Sequence, residues 1–265
     1  ADLFSVSGKF ALVSGGSRGV GKMIAAALVK GGATVFISAR KASQCDATAA
    51  ELSAVATGRC FSIPADLTKE SECRRVASEV NKHTQELHIL WNNAGATWGA
   101  PLEEYPEAAW DRVMTLNVTA VFHLTRACLP MLRKAARPND PAHVTNIGSV
   151  AGQTTSMGQT YAYNASKAAV AHLTRSLAAE LTEQGVNVNC AALGFFPSKM
   201  TEFITKDETL LSAAKERHPM GRIGSADDLA GLALFLSSRA SAFMAGSELV
   251  FDGGSMWRAG SAGKL

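Results

Sequence analysis

Short runs of β-branched and other apolar residues alternate along the chain with longer segments in which apolar residues recur at helical spacing. The short runs predict seven strands: Phe10–Ser14, Thr34–Ser38, Cys60–Pro64, His88–Asn92, Ala142–Gly148, Val186–Ala191 and Ser247–Phe251. The longer segments predict helices, for example Val20–Lys30, Ala47–Ala56, Lys69–His83, Ala108–Lys134 and Tyr161–Gln184. This alternation predicts an α/β fold, a Rossmann-type doubly wound parallel sheet with helices on both faces.

The chain shows no linker rich in Pro, Gly or Ser, so we expect residues 1–265 to form a single domain. Residues 195–219 are the one long departure from the strand–helix alternation, and they follow the sixth predicted strand. Ligands of open α/β sheets bind beyond the carboxyl ends of the strands, so this segment is predicted to be a lid. Ser225 and Asp228 have the spacing of a helix start, which predicts a helix over Leu229–Ser237.

Composition excludes several function classes. The net charge is +3 and the basic residues are scattered, so neither nucleic acid nor an anionic membrane is an expected partner. No apolar stretch reaches the roughly 18 residues of a membrane span, and the histidines lack metal-ligand spacing. Five cysteines without a CxxC pair fit a reducing compartment, and we expect a cytoplasmic protein. Gly263-Lys264-Leu265 resembles a peroxisomal address, which leaves the peroxisome as a weaker alternative.

The first predicted strand leads directly into a glycine-rich turn, Ser14-Gly15-Gly16-Ser17-Arg18-Gly19-Val20-Gly21. Glycines there permit a tight turn and bring backbone amides and a helix N-terminus close to a pyrophosphate. Glycine also marks ordinary turns. The position of this cluster between a strand and a helix favours a dinucleotide site.

The second predicted strand is followed by Ser38-Ala39-Arg40-Lys41 rather than by a carboxylate. An acidic residue at this point bonds the ribose hydroxyls of NAD, whereas a guanidinium can bind a 2′-phosphate in a fork. Arg18 in the glycine-rich turn can add a second positive charge. We therefore predict NADP(H) as the cofactor; the alternative is that Arg40 and Lys41 are solvated surface residues.

Tyr163 and Lys167 lie four residues apart, which places a phenol and an ammonium on one helix face. A free phenol has a pKa of about 10, and a nearby ammonium is expected to lower it. Tyr161 is a rival for the same role, but its residue four positions onward is the uncharged Ala165. We therefore favour Tyr163 as the acid–base group and place Tyr161 at the pocket wall or in packing.

The order of these motifs resembles that of the short-chain dehydrogenase/reductase family over nearly the whole chain. The glycine-rich turn, Asp66, Asn92-Asn93-Ala94-Gly95, Asn117, Ser149, Tyr163 with Lys167, and Asp252-Gly253-Gly254 follow one another as they do there. Phe4-Ser5, Trp98-Gly99-Ala100-Pro101 and Phe196-Pro197-Ser198-Lys199-Met200 are similar to the β-ketoacyl reductases of the rhamnolipid-type subgroup.

The resemblance implies a hydride transfer in which Asn117, Ser149, Tyr163 and Lys167 are catalytic. Tyr163 would protonate the substrate oxygen, Ser149 would hydrogen-bond it, Lys167 would hold the nicotinamide ribose, and Asn117 would keep a water-linked proton path open to Lys167. The substrate pocket would include Ser149, Tyr161, Tyr163 and Phe195. The implied cofactor-binding residues are Gly15, Ser17, Arg18, Gly19, Val20, Gly21, Arg40, Lys41, Asp66, Leu67, Asn93, Ala94, Gly95, Tyr163, Lys167, Leu193, Gly194, Phe196, Ser198 and Met200.

Some of these implied roles have alternatives. Asp66 can instead be a helix cap before Thr68. Three positions depart from the family's pattern. Leu193 stands where proline is usual, which is expected to loosen that turn and free an N–H. Ser149 and Tyr163 are one residue further apart than is common, which predicts a bulge within 153–160, and Trp91 replaces a small aliphatic residue.

The resemblance implies an NADPH-dependent reductase of a 3-oxoacyl or other apolar ketone. Phe195, Phe196, Met200 and Phe203 would give the lid an apolar side, or they merely pack it. Alternatives are a reductase or dehydrogenase of a small secondary alcohol, sugar, polyol or polyketide- or steroid-like ketone, and a non-catalytic NADP(H)-binding module. The presumed partner is a second copy of the chain, because similar proteins form homotetramers through helices matching Ala108–Lys134 and Tyr161–Gln184.

Overall fold

Seven parallel strands form one sheet in the computed structural model, which describes residues 2–54, 57–155 and 158–257. In spatial order the sheet reads β3-β2-β1-β4-β5-β6-β7, and each neighbouring pair is parallel. The predicted doubly wound parallel sheet is confirmed. The strands are β1 Phe10–Ser14, β2 Thr34–Ser38, β3 Arg59–Ser62, β4 Ile89–Asn92, β5 Ala142–Ile147, β6 Val186–Leu193 and β7 Glu248–Phe251.

Helices cover both faces of this sheet. They are α1 Gly19–Lys30, α2 Ala42–Ala54, α3 Glu70–His83, α4 Glu107–Met114, α5 Ala120–Ala135, α6 Tyr161–Leu181, α7 Glu202–Thr205, α8 Glu208–Arg217 and α9 Ala226–Leu236. Side chains of β1 alternate between two apolar cores, because Ala11 and Val13 pack with α1 and α9 whereas Leu12 packs with α3 and α5. The predicted Ser225 helix start is present, with its side chain bonded to the Asp228 N–H in a capping box.

The chain order of the strands reverses beside β1. Strand β1 pairs with β2 on one side and with β4 on the other, so the loops after β1 and β4 leave in different directions. This reversal opens a crevice at the carboxyl edge of the sheet, the usual ligand position in such folds. The glycine-rich turn follows β1 and Asn93 follows β4, so both border the crevice.

The region predicted as one helix, Ala108–Lys134, has an irregular centre. Helix α4 continues through a π-helical turn at Thr115–Thr119 into α5, and the Ala120 N–H bonds back to the Thr115 carbonyl. The predicted helical stretch is confirmed, and the π-helical turn at its centre is a feature that the spacing did not predict. Such wide turns occur frequently at functional sites, and Asn117 lies within this one.

Strand β6 extends two residues further than the predicted end at Ala191. Leu193 is buried and pairs with Phe251 of β7, and the next N–H, that of Gly194, donates to the Phe251 carbonyl at 3.0 Å. The expectation that Leu193 loosens the turn is wrong. Leucine, unlike proline, can continue a central strand, so the sheet is longer here. Strands β1 and β2 have the predicted bounds, and the ends of the other strands differ from prediction by at most two residues.

Trp91 is accommodated in the sheet without an unpaired polar group. The side chain is fully buried, and its Nε1–H donates to Ser237 Oγ at 2.9 Å. A buried donor left without a partner costs about 1–3 kcal/mol, so Ser237 offsets the polar part of this large side chain. The local packing that we expected to adapt to Trp91 therefore involves Ser237, the residue directly after α9.

The segment 195–219 contains the two short helices α7 and α8, which sequence periodicity did not predict. Within the described ranges, no helix combines the length and the apolar character that a membrane crossing requires. Ala56 of the predicted second helix, part of the predicted bulge at 156–157, and the tail Gly263-Lys264-Leu265 lie outside the described residues.

Candidate active site

The glycine-rich turn is held by contacts that leave no room for side chains. Gly15 has φ +65°, and a Cβ at Gly21 would lie 2.3 Å from the Gly15 carbonyl oxygen. Asn93 Nδ2 donates to the carbonyls of Ser14 and Gly15 at 2.9 and 3.2 Å. Thr48 Oγ1 adds a hydrogen bond to the Ser17 carbonyl at 2.9 Å. The side chain of Asn93 therefore grips the turn, and its neighbours Ala94 and Gly95 follow the same edge.

The arrangement around this turn fits a phosphorylated dinucleotide. Helix α1 begins at Gly19, so its N-terminal amides and positive dipole end lie at the turn. The side chains of Arg18, Arg40 and Lys41 are exposed, and within the described residues none of them makes a hydrogen bond or an ion pair. Because Arg18 and Arg40 follow the carboxyl ends of neighbouring strands, the cations are available to an anion at one edge of the sheet.

Asp66 caps a turn in this structure. Its Oδ1 accepts from Thr68 Oγ1 at 2.8 Å and from the Thr68 N–H at 3.3 Å. Asp66 is therefore not the helix cap that the alternative expected, because α3 begins at Glu70 with Lys69 at its N-cap position. Its position after β3 leaves the residue at the carboxyl edge. The neighbouring Leu67 is buried and packs in the core on the α3 side.

Three of the predicted catalytic side chains converge beyond β5. Ser149 follows β5, and its hydroxyl is hydrogen-bonded to the Tyr163 side chain and also accepts from the Ala151 N–H at 3.2 Å. Lys167 lies one turn along α6, with Nζ 5.5 Å from the centre of the Tyr163 ring. Its ammonium donates to the Ile147 carbonyl at 2.6 Å. A phenol, a hydroxyl and an ammonium thus share one buried site.

The electrostatics of Tyr163 differ from the sequence-based expectation. Burial raises the pKa of Tyr163 above its ordinary value, and the hydrogen bond from Ser149 only partly opposes this. The expected lowering by Lys167 is wrong in this structure, because the ammonium lies over the ring face and is directed to the Ile147 carbonyl. Burial also lowers the pKa of Lys167 to about 8, so this side chain stays largely protonated at neutral pH.

Asn117 ties the π-helical turn to two other elements. Its Nδ2 donates to the Ala96 carbonyl and to Ser166 Oγ, both at 2.9 Å, and its Oδ1 accepts from the Ala96 N–H at 2.8 Å. Ser166 Oγ in turn donates to the Tyr163 carbonyl at 2.7 Å. The Asn117 side chain is therefore occupied in joining the loop after β4 to α6. Gly95 passes close by, since a Cβ there would lie 3.3 Å from Asn117 Oδ1.

The base of the predicted lid is fixed by a residue that sequence reasoning missed. Thr201 Oγ1 donates to the Phe196 carbonyl at 2.9 Å and accepts from the Ser198 N–H at 2.9 Å. The Ser198 side chain lies against the glycine-rich turn, with its Cβ 3.1 Å from where a Gly19 Cβ would be. Phe196 itself is buried and stacks on Phe251 at 6.1 Å between ring centres, so only its backbone is available to a ligand.

The other predicted site residues lie around the site formed by Tyr163, Ser149 and Lys167. Gly194 packs so tightly that a Cβ would lie 2.6 Å from the Asp252 Cβ. Phe195 is half-buried with its ring edge against His218, and Met200 is exposed. Tyr161 packs edge-on against Tyr105 at 5.6 Å. Tyr105 was also missed; its hydroxyl donates to the Trp98 carbonyl at 3.2 Å and fixes the loop after β4.

The two missed residues, Tyr105 and Thr201, each leave a partial signal in the sequence. Aromatic residues are dense between Trp98 and Trp110, which indicates a packed rim, but no spacing rule pairs Tyr105 with Tyr161. Thr201 follows Ser198 at the spacing of a local turn, although nothing in the sequence shows which carbonyl its hydroxyl will reach.

Comparison with known proteins decides the family. The sequence profile described as Enoyl-(Acyl carrier protein) reductase matches residues 15–256. The chain belongs to the short-chain dehydrogenase/reductase family. The Rhamnolipids biosynthesis 3-oxoacyl-[acyl-carrier-protein] reductase of Pseudomonas aeruginosa is 49% identical over 251 residues, covering 95% of this chain and 97% of its own length.

Further members of the family show how wide its chemistry is. The Gluconate 5-dehydrogenase of Gluconobacter oxydans is 36% identical over 253 residues, covering 96% of each chain. Among solved structures, the Pseudomonas aeruginosa RhlG/NADP active-site complex superimposes with a TM-score of 0.93 at 48% identity, covering 97% of this chain and 99% of that one. The resemblance to the rhamnolipid-type subgroup is confirmed.

The close approach at Gly21 makes a testable prediction. Gly21→Ala should weaken binding of a nicotinamide dinucleotide by about tenfold or more, because a Cβ there must displace the backbone of the glycine-rich turn. Dinucleotide titration by fluorescence measures the effect. Gly231→Ala in α9 is the matched control, since nothing lies within 4 Å of its added Cβ. Equal affinities of the two variants would contradict the packing described here.

Proposed function

We propose that this chain is an NADPH-dependent reductase that transfers hydride to a ketone, a 3-oxoacyl compound or another apolar carbonyl, with Tyr163 as the general acid. The observation that carries the proposal is the convergence of Tyr163, Ser149 and Lys167 beyond β5, on the sheet edge that also bears the glycine-rich turn. Bound NADPH would supply the hydride, and the protein supplies position and charge.

Tyr163 is the proton donor in the direction of reduction. The phenol is protonated at neutral pH, which is the state a donor requires, although burial alone makes it a weaker acid than a free phenol. Ser149 shares a hydrogen bond with this phenol, so a substrate oxygen near both hydroxyls would be oriented by two donors. The same two donors would stabilise negative charge as it develops on that oxygen.

Lys167 and Asn117 serve the cofactor and the position of Tyr163, and they would not contact the substrate. The protonated Lys167, whose ammonium donates to the Ile147 carbonyl, is the group placed to hold the nicotinamide ribose. Asn117 joins the loop after β4 to α6 through Ala96 and Ser166, so it positions Tyr163. A water-linked proton path to Lys167 would run beside Asn117.

The exposed cations support NADP(H) as the cofactor. Arg40 is the residue we assign to the 2′-phosphate, with Lys41 and Arg18 adding charge at the same edge. The backbone of Phe196 and the Ser198 hydroxyl, held by Thr201, would bind the nicotinamide carboxamide. Asp66 and Leu67 would face the adenine, and Met200 would lie over the nicotinamide end.

A polyol or sugar dehydrogenase is the second candidate, since the Gluconobacter relative is a gluconate 5-dehydrogenase. The same Tyr163 chemistry would serve there, with a more polar pocket. In either case we propose one domain over 1–265, with 195–219 as a lid over the substrate. A panel of 3-oxo thioesters, an enoyl thioester and 5-keto-gluconate, assayed with NADPH, separates the candidates.

We also propose a homotetramer built through α4, α5 and α6. Trp110, Phe122 and Tyr161 on these helices leave 37–40% of their surfaces exposed, and burying these aromatic side chains would suit an interface. Multi-angle light scattering at micromolar concentration should give four times the mass of one chain. A monomer under these conditions would contradict the interface.

The role of Tyr163 is tested by removing its hydroxyl. Tyr163→Phe should lower turnover by about 10²–10⁴-fold, because the general acid is lost, while NADPH affinity stays near that of the wild type. Tyr105→Phe is the matched control, because the Tyr105 hydroxyl bonds to the Trp98 carbonyl away from Tyr163, and it should retain most of the activity. Substantial turnover by Tyr163→Phe in steady-state assays would overturn the assignment.

The cofactor assignment is tested at Arg40. Arg40→Asp should raise the KM for NADPH by about 10–100-fold while changing that for NADH little, because a charge-assisted hydrogen bond to phosphate is replaced by repulsion. Arg59→Asp is the control, since Arg59 is exposed at the opposite, amino end of its strand. An unchanged NADPH/NADH preference in Arg40→Asp would refute the role.

A further inference from the structure

A continuous row of hydrogen-bonded polar side chains crosses the buried side of the sheet that faces α5 and α6. Asn92 Nδ2 donates to Thr125 Oγ1 of α5 at 2.9 Å and to Asn146 Oδ1 of β5 at 2.8 Å. Asn146 Nδ2 donates to Thr174 Oγ1 of α6 at 2.9 Å, and that hydroxyl donates to the Val170 carbonyl at 2.8 Å. We call the four side chains of Thr125, Asn92, Asn146 and Thr174 the amide row, and each is at most 3% exposed.

The amide row occupies positions at which apolar side chains would pack as well. Leu90 and Val144, two residues earlier on the same strands and on the same face, belong to the apolar core there. A buried amide without partners destabilises a fold, whereas a bonded network of amides fixes one geometry. The row therefore specifies the relative position of the elements that it joins.

Strand β5 and helix α6 are joined by two polar contacts from successive residues of the strand. The Lys167 ammonium donates to the Ile147 carbonyl at 2.6 Å, and Asn146, one residue earlier, bonds Thr174. Thr174 follows Lys167 by about two helical turns, or about 10 Å along the same face. One contact would leave the helix free to rotate about it, whereas two contacts fix both its rotation and its axial register against β5.

This register sets the distance between the phenol and its hydroxyl partner. Ser149 lies two residues beyond Ile147, and its hydroxyl is bonded to the Tyr163 side chain in the first turn of α6. Between these two residues a Cβ at Gly148 would lie 2.6 Å from Cys190 Sγ, so the backbone there is tightly packed. Movement of α6 along β5 would therefore separate Tyr163 from Ser149.

The other end of the amide row reaches the dinucleotide site. Asn92 is followed directly by Asn93, whose side chain donates to two carbonyls of the glycine-rich turn. Asn92 and Asn146 also lie opposite each other in the register of β4 and β5. The row thus links the strand end that bonds the glycine-rich turn to the strand and helix that carry Ser149 and Tyr163.

We propose that Asn146 and Thr174 are positioning residues for the hydride transfer, which through the amide row hold Tyr163 at a fixed distance from a nicotinamide bound beside the glycine-rich turn. Both side chains are fully buried beneath the strand ends, so they act through Tyr163 and not on the substrate. A misplacement of about 1 Å can slow an enzymatic reaction by about 10²-fold. The inference rests on the proposed reductase function and adds two residues to those that serve it.

Removal of the Thr174 hydroxyl tests the proposal. Thr174→Val keeps the shape of the side chain but leaves the Asn146 amide without its partner. With the carbonyl compound that the wild type reduces fastest, the single-turnover rate of NADPH oxidation should fall by about tenfold or more. The amplitude, which counts competent sites, and the Kd for NADPH should stay within about twofold of wild type. Thr174→Ser retains the hydroxyl and should restore about half of the wild-type rate or more.

Thr182→Val is the matched control. The Thr182 hydroxyl donates to the Ala178 carbonyl at 2.7 Å, the same helical bond that Thr174 makes to Val170, but it lies exposed at the C-cap of α6, about two turns beyond Thr174. It should keep the wild-type rate. A purely structural role of Thr174 would lower the amplitude and the melting temperature and leave the rate per competent site unchanged. That result, or equal slowing in Thr182→Val, would overturn the proposal.

A second measurement needs no turnover, so it separates failure of this inference from failure of the reductase function. NADPH binding should slow amide hydrogen exchange across residues 170–178 of α6 by about threefold or more, because the amide row transmits the constraint from the glycine-rich turn. Mass spectrometry should show this slowing in wild type and in Thr182→Val, but not in NADPH-bound Thr174→Val. This pattern would support the inference even if no ketone is reduced. Slowing that is absent from the wild type, or equal in all three proteins, would overturn the inference even if ketones are reduced.

Discussion

The common direction of the seven strands is the constraint on which the site depends. Because every strand is parallel to its neighbours, all carboxyl ends meet at one edge, and each functional group follows one of them. The glycine-rich turn leaves β1, Arg40 follows β2, Asn93 follows β4, Ser149 follows β5 and residues 195–219 follow β6. One antiparallel strand in the centre would move its residue to the other end of the sheet.

Short contacts between loops then fix this edge. Asn93 bonds the carbonyls of Ser14 and Gly15, Asn117 joins Ala96 to Ser166, and Thr201 holds Ser198 against the glycine-rich turn. Asn93 and Asn117 bond mainly to backbone atoms of another segment, whereas Thr201 bonds within its own loop. The site is therefore assembled by polar cross-links between loops, over a sheet whose two apolar cores supply the rigid base.

Sequence reasoning reached the strands, the parallel sheet and the Tyr163–Lys167 pair because each depends on local spacing. It failed at positions where residues far apart in the sequence determine the local structure or the pKa. The π-helical turn at Thr115–Thr119 interrupts a pattern that stays helical in sequence, and Leu193 continues a strand because β7 lies beside it. The pKa of Tyr163 followed burial rather than the charge one helical turn away, and depth of burial is not readable from a four-residue spacing.

The central claim is that hydride passes from the nicotinamide to a substrate carbon while Tyr163 supplies the proton. Turnover with NADPH carrying deuterium at the transferring position of its C4 tests this most directly, with the product analysed by mass spectrometry and NMR. The account predicts one deuterium on the carbinol carbon of the product, and a hydroxyl proton that exchanges with water. A product without carbon-bound deuterium, or with deuterium on a carbon adjacent to an intact carbonyl, would contradict it.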